Sequence, residues 1–513
     1  MKILSISDLE KLESQIEVEF GKHKLGDVLH SLYSLKKSEP DIRPFMTAGS
    51  ALFAARFCYP SKASQLRYYI PNIRALVDLS NRYYLADAIT FDQDLHDEFI
   101  HSNPIFMMLR LASSQFPFNQ GLFGEFPRAF FLFHEIPRQL KDLSDIPKFD
   151  FESEFKNLTG VSILDFITIG FVVFSMSHND FHFSQDDFRK NRRKINLPNN
   201  HTIGKVLDQL SADKFKLTNV YNTRKNKDRR FRMYDFNPLL SYPIIKPCQN
   251  KQFSTLDQNF FHAPIPELVA SRISTGIFYQ MYNAFATESG NKFSEYFGHV
   301  FENYVGLVLS NCIKSEQLVS ESDLRKFYPA NKGKAPDWIV IDGSTAILLE
   351  CKATRFSRAA QAIASEEAIN SSLVQVKKGL KQLASFIAAC QEKPPELKPF
   401  HNCTVFKPVL VSLETLHLIN SILFREHIDN LLKDEGINDL DWQILSIDEL
   451  EALQPHMSSG FGLAQILDDL RIKTFDDVLQ SLISQTKKTF ADSFLYPKQE
   501  ELYQRLGISD EVC

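Results

Sequence analysis

The chain lacks any Cys-x-x-Cys pair, and its seven cysteines are scattered from Cys58 to Cys513. A dispersed, odd-numbered set builds neither a disulfide framework nor a cysteine zinc site, and it points to a reducing cytoplasm. No G-x-x-x-x-G-K-[ST] phosphate loop is present, which argues against ATP hydrolysis by the chain alone. No G-x-S-x-G elbow is present either, so a serine hydrolase has no support. No apolar run reaches the roughly 20 residues of a membrane-spanning helix. The most apolar stretch, "VSILDFITIGFVVFSM" (Val161–Met176), contains Asp165 and reads as a buried helix. The opening "MKILSISDLEKLE" meets acidic residues at once and does not read as a signal peptide. Internal repeats and low-complexity tracts are missing. So is a large net charge: the formal value is -5, and any pull on nucleic acid must come from local patches.

What is present suffices for several packed domains, with 44% hydrophobic residues and 44 phenylalanines in 513 positions. Residues 1–155 read as a helical, aromatic-rich N-terminal domain with Pro-marked breaks. Residues 156–285 carry two basic runs. One is RKNRRK, with Arg189, Lys190, Arg192, Arg193 and Lys194; the other is RKNKDRRFR, with Arg224, Lys225, Lys227, Arg229, Arg230 and Arg232. Each sums to +5. Between them "HTIGKVLDQLSAD" reads as a helix capped by Thr202, and the strand-like, Pro-broken "FNPLLSYPIIK" suits a sheet edge. Two helices and a basic hairpin fit a winged-helix-like nucleic-acid-binding module; a linker region with a solvated basic face fits equally. From 286 to 456 helices and strands alternate as in an α/β domain. After the flexible "SSGFG", residues 457–513 read as a helical tail.

His178 and His182 in "HNDFH" are four apart, the spacing of two metal ligands on one helix, with Asp180 between them. No third ligand is evident, and helix capping is the plainer reading.

The informative stretch is "APDWIVIDGSTAILLECKA" (Ala335–Ala353), which sets Asp337, Glu350 and Lys352 among apolar residues. "DWIVI" and "AILLEC" have strand length, and Asp342-Gly343 between them is a strong hairpin signal. A two-residue loop there sets Asp337 opposite Leu348; a four-residue loop sets it opposite Glu350. Side chains alternate along a strand, so either loop puts Asp337, Glu350 and Lys352 on one face. Both faces are otherwise apolar, which predicts a central position in a sheet covered by helices. Two carboxylates meeting at a buried edge cost several kcal/mol per charge unless neutralised. A hard cation such as Mg²⁺ resolves the conflict. Asp337 and Glu350 are the expected ligands, joined by the main-chain carbonyl of Cys351. Lys352 would orient a water or stabilise developing charge.

Pro336-Asp337, twelve residues, then Glu350-Cys351-Lys352 resembles the signature of the PD-(D/E)xK nuclease superfamily, over about residues 290–455. The resemblance implies a restriction-endonuclease-like α/β domain, a central mixed sheet flanked by helices. It further implies Mg²⁺-dependent hydrolysis of nucleic acid, DNA rather than RNA, with Mn²⁺ as a substitute ion. Upstream, "SEYFGHVFENYVGLVL" is similar to the family helix whose glutamate reaches the metal. That role falls first to Glu302 and only secondarily to Glu295. Downstream, related nucleases place a Gln or Lys near the metal or scissile phosphate, which here means Gln382 or Lys378. Arg355 and Arg358 follow the motif and are candidates for phosphate contacts. The biological setting implied is anti-phage defence or restriction in bacterial cytoplasm. One centre cuts one strand, so double-strand cutting would take a homodimer or a second defence protein. The alternative is a nuclease-like fold that binds nucleic acid or protein with little or no cleavage.

Overall fold

The computed structural model describes residues 6–39, 44–58, 69–84, 122–141, 143, 146–191, 195–246, 260–287, 290–353, 366–416 and 419–507. Apolar residues at helical spacing organise its first part. Helices Ile6–Phe20, Leu25–Ser38, Pro44–Phe57 and Ile73–Tyr84 bury Ile16, Phe20, Val28, Leu52 and Ile73 in one core. Phe181, Leu217, Phe231 and Ile245 enter the same core from further along the chain.

Helix α1 (Ile163–Asn179) carries the long apolar run. Ser162 caps it by accepting the Asp165 N–H, and Phe166, Ile167, Ile169 and Val173 are fully buried in a second core. Among the described residues no single helix is long and apolar enough to cross a membrane. Strand β1 (His182–Ser184) follows directly. Helix α2 (Asn200–Leu210) is capped by Asn199, whose side chain accepts the Thr202 N–H at 2.9 Å. The cap therefore lies three residues before the expected Thr202, because an Asn just ahead of the first turn reaches the orphan N–H groups.

Strand β2 (Ser211–Ala212), helix α3 (Lys214–Arg224), β3 (Ile244–Ile245) and β4 (Phe260–His262) come next. The four strands form one sheet in the order β1-β4-β3-β2. β3 pairs on both sides, with β4 and β2, and is not the expected edge.

A short ribbon of β5 (Ala286–Thr287) and β6 (Gly290–Asn291) leads into helix α4 (Lys292–Ser310). Then come β7 (Leu318–Ser320), α5 (Glu321–Arg325), β8 (Trp338–Asp342), β9 (Thr345–Lys352), α6 (Glu366–Gln391), β10 (Val405–Ser412) and β11 (Gln443–Ser446). These strands form a five-stranded sheet, order β11-β10-β9-β8-β7. Its β7–β8 and β8–β9 pairs are antiparallel, and its β9–β10 and β10–β11 pairs are parallel. An N-terminal helical stretch thus precedes mixed α/β structure whose sheet is flanked by helices. Strand β11 is only four residues long. Ser446 then caps the helix Ile447–Met457 through a reciprocal pair with Glu449.

Alternation assigns the faces of β9. Ile347, Leu349 and Cys351 share a core with Val305 and Val308 of α4. Ala346 and Leu348 share another with Val376, Leu380 and Leu383 of α6. The strand is covered on both sides, which accounts for its near-continuous apolar sequence.

Helix α4 is locked to the hairpin at one close approach. A Cβ on Gly306 would sit 2.0 Å from Cζ2 of Trp338, and the Trp338 indole donates to the Glu302 carbonyl at 3.0 Å. The ring packs where only glycine leaves room. Gly306→Ala is expected to lose about 1–3 kcal/mol by overpacking, read as a lower midpoint in chemical denaturation.

Candidate metal centre

The hairpin turn is Gly343–Ser344, with Asp342 paired to Thr345. The sequence signal Asp342-Gly343 is therefore displaced by one residue. Gly343 sits at φ +61°, a conformation glycine adopts readily, and it takes the first central position of the turn. Trp338 consequently faces Leu349, and one step further Asp337 stands opposite Glu350. This is the register of the four-residue loop, reached by a two-residue turn.

Asp337 immediately precedes β8, and its Oδ2 accepts the Cys351 N–H at 2.6 Å. Glu350 is only 1% exposed, and both of its oxygens are engaged. The Lys352 ammonium donates to Oε1, and Gln382 Nε2 of α6 donates to Oε2 at 2.7 Å. The same Gln382 amide donates to the Ala335 carbonyl at 2.6 Å, so it joins the Pro336-Asp337 segment to β9. Gly379 permits this approach of α6. A Cβ there would lie 3.0 Å from Leu410 Cδ1 and 3.3 Å from Glu350 Cγ.

Burial dominates the electrostatics. It pushes the Glu350 carboxyl up to about 7 against the opposing pull of Lys352. Burial also holds the Asp337 carboxyl well above the usual range, helped by repulsion from Glu350 and Glu302; Lys352 and the Cys351 N–H oppose it. For Lys352 burial acts downward, but Glu350 and Asp337 outweigh it and leave the ammonium above its ordinary value.

Two further carboxylates reach Asp337. Glu302 comes from α4 and Glu321 from α5, and one oxygen from each of Glu302, Glu321 and Asp337 lies within 4.8 Å of the others. Three hard oxygen donors at that spacing can in principle coordinate a divalent ion. The carboxylate donors suit Mg²⁺ or Mn²⁺ better than a thiolate-seeking metal.

Glu321 was not singled out in the sequence. It sits after a three-residue strand, where the only signal is local: Ser320 caps α5 by accepting the Asp323 N–H. The structure builds it in firmly. Its N–H donates to the Asp337 carbonyl at 2.8 Å, and Arg325 Nε and Nη2 hold its Oε1 at 3.0 and 2.8 Å.

The other expected residues divide. Cys351 contributes its N–H, while its thiol faces the opposite core, where burial first, then Asp337, raises it far above its ordinary value. Glu295 is exposed and lies outside the acidic cluster. His299 Nδ1 is 3.7 Å from Glu302 Oε2, and the neighbouring Glu302 carboxylate raises the imidazole against the opposing effect of burial. Lys378 is exposed on α6 beside Gly379.

In the basic runs, Arg189 pairs with Asp186 at 2.8 Å and Lys190 with Asp187 at 3.2 Å. Arg229 pairs with Glu10, and Arg232 lies 3.5 Å from Glu13. Arg224 lies over the Phe236 ring at 4.8 Å, and it is exposed, as are Lys225 and Lys227. Arg192, Arg193, Lys194, Arg355 and Arg358 lie outside the described residues, as does the Arg230 side chain.

The histidine pair does not share a helix, because α1 ends at Asn179. His178 packs edge-on against Phe174, and His182 Nδ1 lies 3.2 Å from Nδ1 of His262 across β1 and β4.

Asp337 and Glu350 hold protons more tightly folded than unfolded. In cation-free protein the Glu350 contribution to stability is present below about 4.5 and is lost as pH rises through about 7, and Asp337 acts in the same direction. Thermal melts in chelator between pH 5 and 8 read this fall, and Glu350→Gln is expected to flatten it. Added Mg²⁺ or Mn²⁺ is expected to raise the melting temperature more at pH 8 than at pH 5, since it binds the ionised carboxylates. No family model matches the sequence, no curated protein is significantly similar to it, and no solved structure matches it, so the residues themselves carry the functional reading.

Proposed function

We propose that the chain is a divalent-cation-dependent nuclease with a restriction-endonuclease-like domain, hydrolysing phosphodiester bonds of DNA in preference to RNA. One observation carries the reading. Asp337, just before β8, stands by continuation of the register opposite Glu350 of β9, and the Lys352 ammonium lies on the same face, bonded to Glu350. Charge of this kind buried beside an apolar sheet is costly, and such groups cluster at functional sites. The helix before the hairpin and the helix after it both reach the site, through Glu302 and Gln382. That arrangement supports the PD-(D/E)xK resemblance.

A divalent ion, when bound, would supply positive charge and Lewis acidity at the scissile phosphate. Glu302, Asp337 and Glu350 would hold it, with Glu321 and the Cys351 carbonyl completing the donor set. Lys352 would position the attacking water and offset charge developing on the phosphate oxygens. Gln382 would fix Glu350 and the Pro336-Asp337 segment relative to each other. In-line attack by water forms a new P–O bond as the bond to the 3′ oxygen breaks, leaving a 3′-hydroxyl and a 5′-phosphate. A role in anti-phage defence or restriction is part of this proposal.

One observation favours the alternative of a nuclease-like binding module: the chain itself satisfies both Glu350 oxygens. Cleavage separates the two readings. Supercoiled plasmid with Mg²⁺ is expected to be nicked by wild type. Asp337→Ala and Lys352→Ala are expected to lose roughly 100-fold or more of that rate. Equal nicking by all three proteins would refute the assignment, and metal-independent binding without cleavage would favour the module.

A further inference from the structure

The basic stretch between the two cores is asymmetric in a way the sequence runs alone conceal. Residues 185–232 hold fourteen lysines and arginines against five aspartates and no glutamate, a net +9 in a chain whose total is -5. Part of that charge is spent internally, since Arg189, Lys190, Arg229 and Arg232 face carboxylates of the chain. Charge that no carboxylate pairs lies elsewhere. Lys216, Lys225 and Lys227 are exposed and have no carboxylate within 4.0 Å among the described residues.

These lysines flank the outer face of α3. The helix "KFKLTNVYNTR" contains no acid and buries only Leu217 and Tyr221. Its opposite side carries Phe215, 72% exposed, followed by Asn219 and Asn222 at steps of four and three, which lie on one stripe. An exposed phenylalanine between lysines needs an explanation, because solvated basic faces do not require a large apolar ring. Lys216 is steadied over the Tyr242 ring at 3.9 Å, and Asp213 caps the helix by accepting the Lys216 N–H at 2.8 Å.

Helices α2 and α3 are joined by only Ser211, Ala212 and Asp213. Three residues is the connection length of a helix-turn-helix pair, whose second helix enters the major groove. Asparagine amides read adenine edges there, and an apolar ring meets thymine methyls. The narrow major groove of A-form RNA excludes a helix.

We infer that the outer face of α3, with Lys216, Lys225 and Lys227 at its ends, is a docking surface for double-stranded DNA. The phosphates meet these three lysines, which no described carboxylate pairs, and Phe215, Asn219 and Asn222 face the groove. The surface is separate from the metal centre and does not depend on hydrolysis.

The test is fluorescence anisotropy with a labelled DNA duplex in chelator, using the full chain. The triple variant Lys216→Gln/Lys225→Gln/Lys227→Gln is expected to bind about tenfold more weakly. Its slope of log affinity against log salt is expected to be shallower by about two to three. Phe215→Ser is expected to weaken binding at unchanged salt slope. Arg229→Gln/Arg232→Gln is expected to bind close to wild type, because its charges are already paired. Melting curves establish that each variant is folded. The inference is overturned if wild type does not bind duplex DNA, or if the triple variant binds as tightly as wild type. It is likewise overturned if the Arg229/Arg232 variant loses as much, if duplex RNA binds equally, or if the chain prefers anionic vesicles. Chelator suppresses cleavage, so failure here leaves the hydrolytic reading standing, and absence of plasmid nicking leaves this one standing.

Discussion

Asp337, at the entry to β8, and Glu350 of β9 stand opposite each other with the Lys352 ammonium beside them. Two carboxylates in that position repel, and the burial of Glu350 limits the water that would screen them. The chain accommodates them by partial protonation and by lending Glu350 two donors. Glu302 and Glu321 bring two further carboxylates to Asp337, of which Glu321 is paired with Arg325. A hard cation is the simplest partner for such a set. The proposed chemistry follows from an electrostatic conflict that the fold preserves instead of removing.

Much of the surrounding structure holds that conflict in place. Gly306 lets Trp338 lie against α4, which brings the Glu302 backbone onto the start of β8. Gly379 lets α6 press on β9, so that Gln382 spans Glu350 and the Ala335 carbonyl. Arg325 fixes Glu321 and also donates to the Gly333 carbonyl at 2.9 Å, tying α5 to the segment that enters Asp337. Further out, buried Arg128 donates to Glu451 at 2.7 and 2.6 Å, and the Tyr304 hydroxyl donates to Glu451 at 2.5 Å. This network joins the helix Leu122–Phe130 to α4 and to the helix Ile447–Met457. The position of α4, and with it Glu302, thus depends on packing across much of the chain.

The central hairpin was legible because its signals are local. Strand-length apolar runs, a glycine turn and period-two alternation fixed the shared face of Asp337, Glu350 and Lys352 whichever even loop was chosen. The register itself was not legible. It depended on whether Gly343 took the first or second turn position, and a one-residue displacement of the turn separates Leu348 from Glu350 as the partner of Asp337. Glu321 was invisible for a different reason. It joins the site through a three-residue edge strand too short to announce itself, and only tertiary contact with Asp337 reveals it. The internal pairing within the basic runs was hidden for a third reason. Sequence counts charge, but the pairing of Arg229 with Glu10 and the approach of Arg232 to Glu13 span more than two hundred residues and appear only in the fold.

Calorimetric titration of Mn²⁺ into the cation-free chain tests the central claim most directly. The account predicts saturable binding by wild type, its loss in Asp337→Asn, and its retention in Lys352→Gln, because the lysine steers chemistry without ligating. Absence of saturable binding to wild type, or unchanged binding in Asp337→Asn, would contradict it.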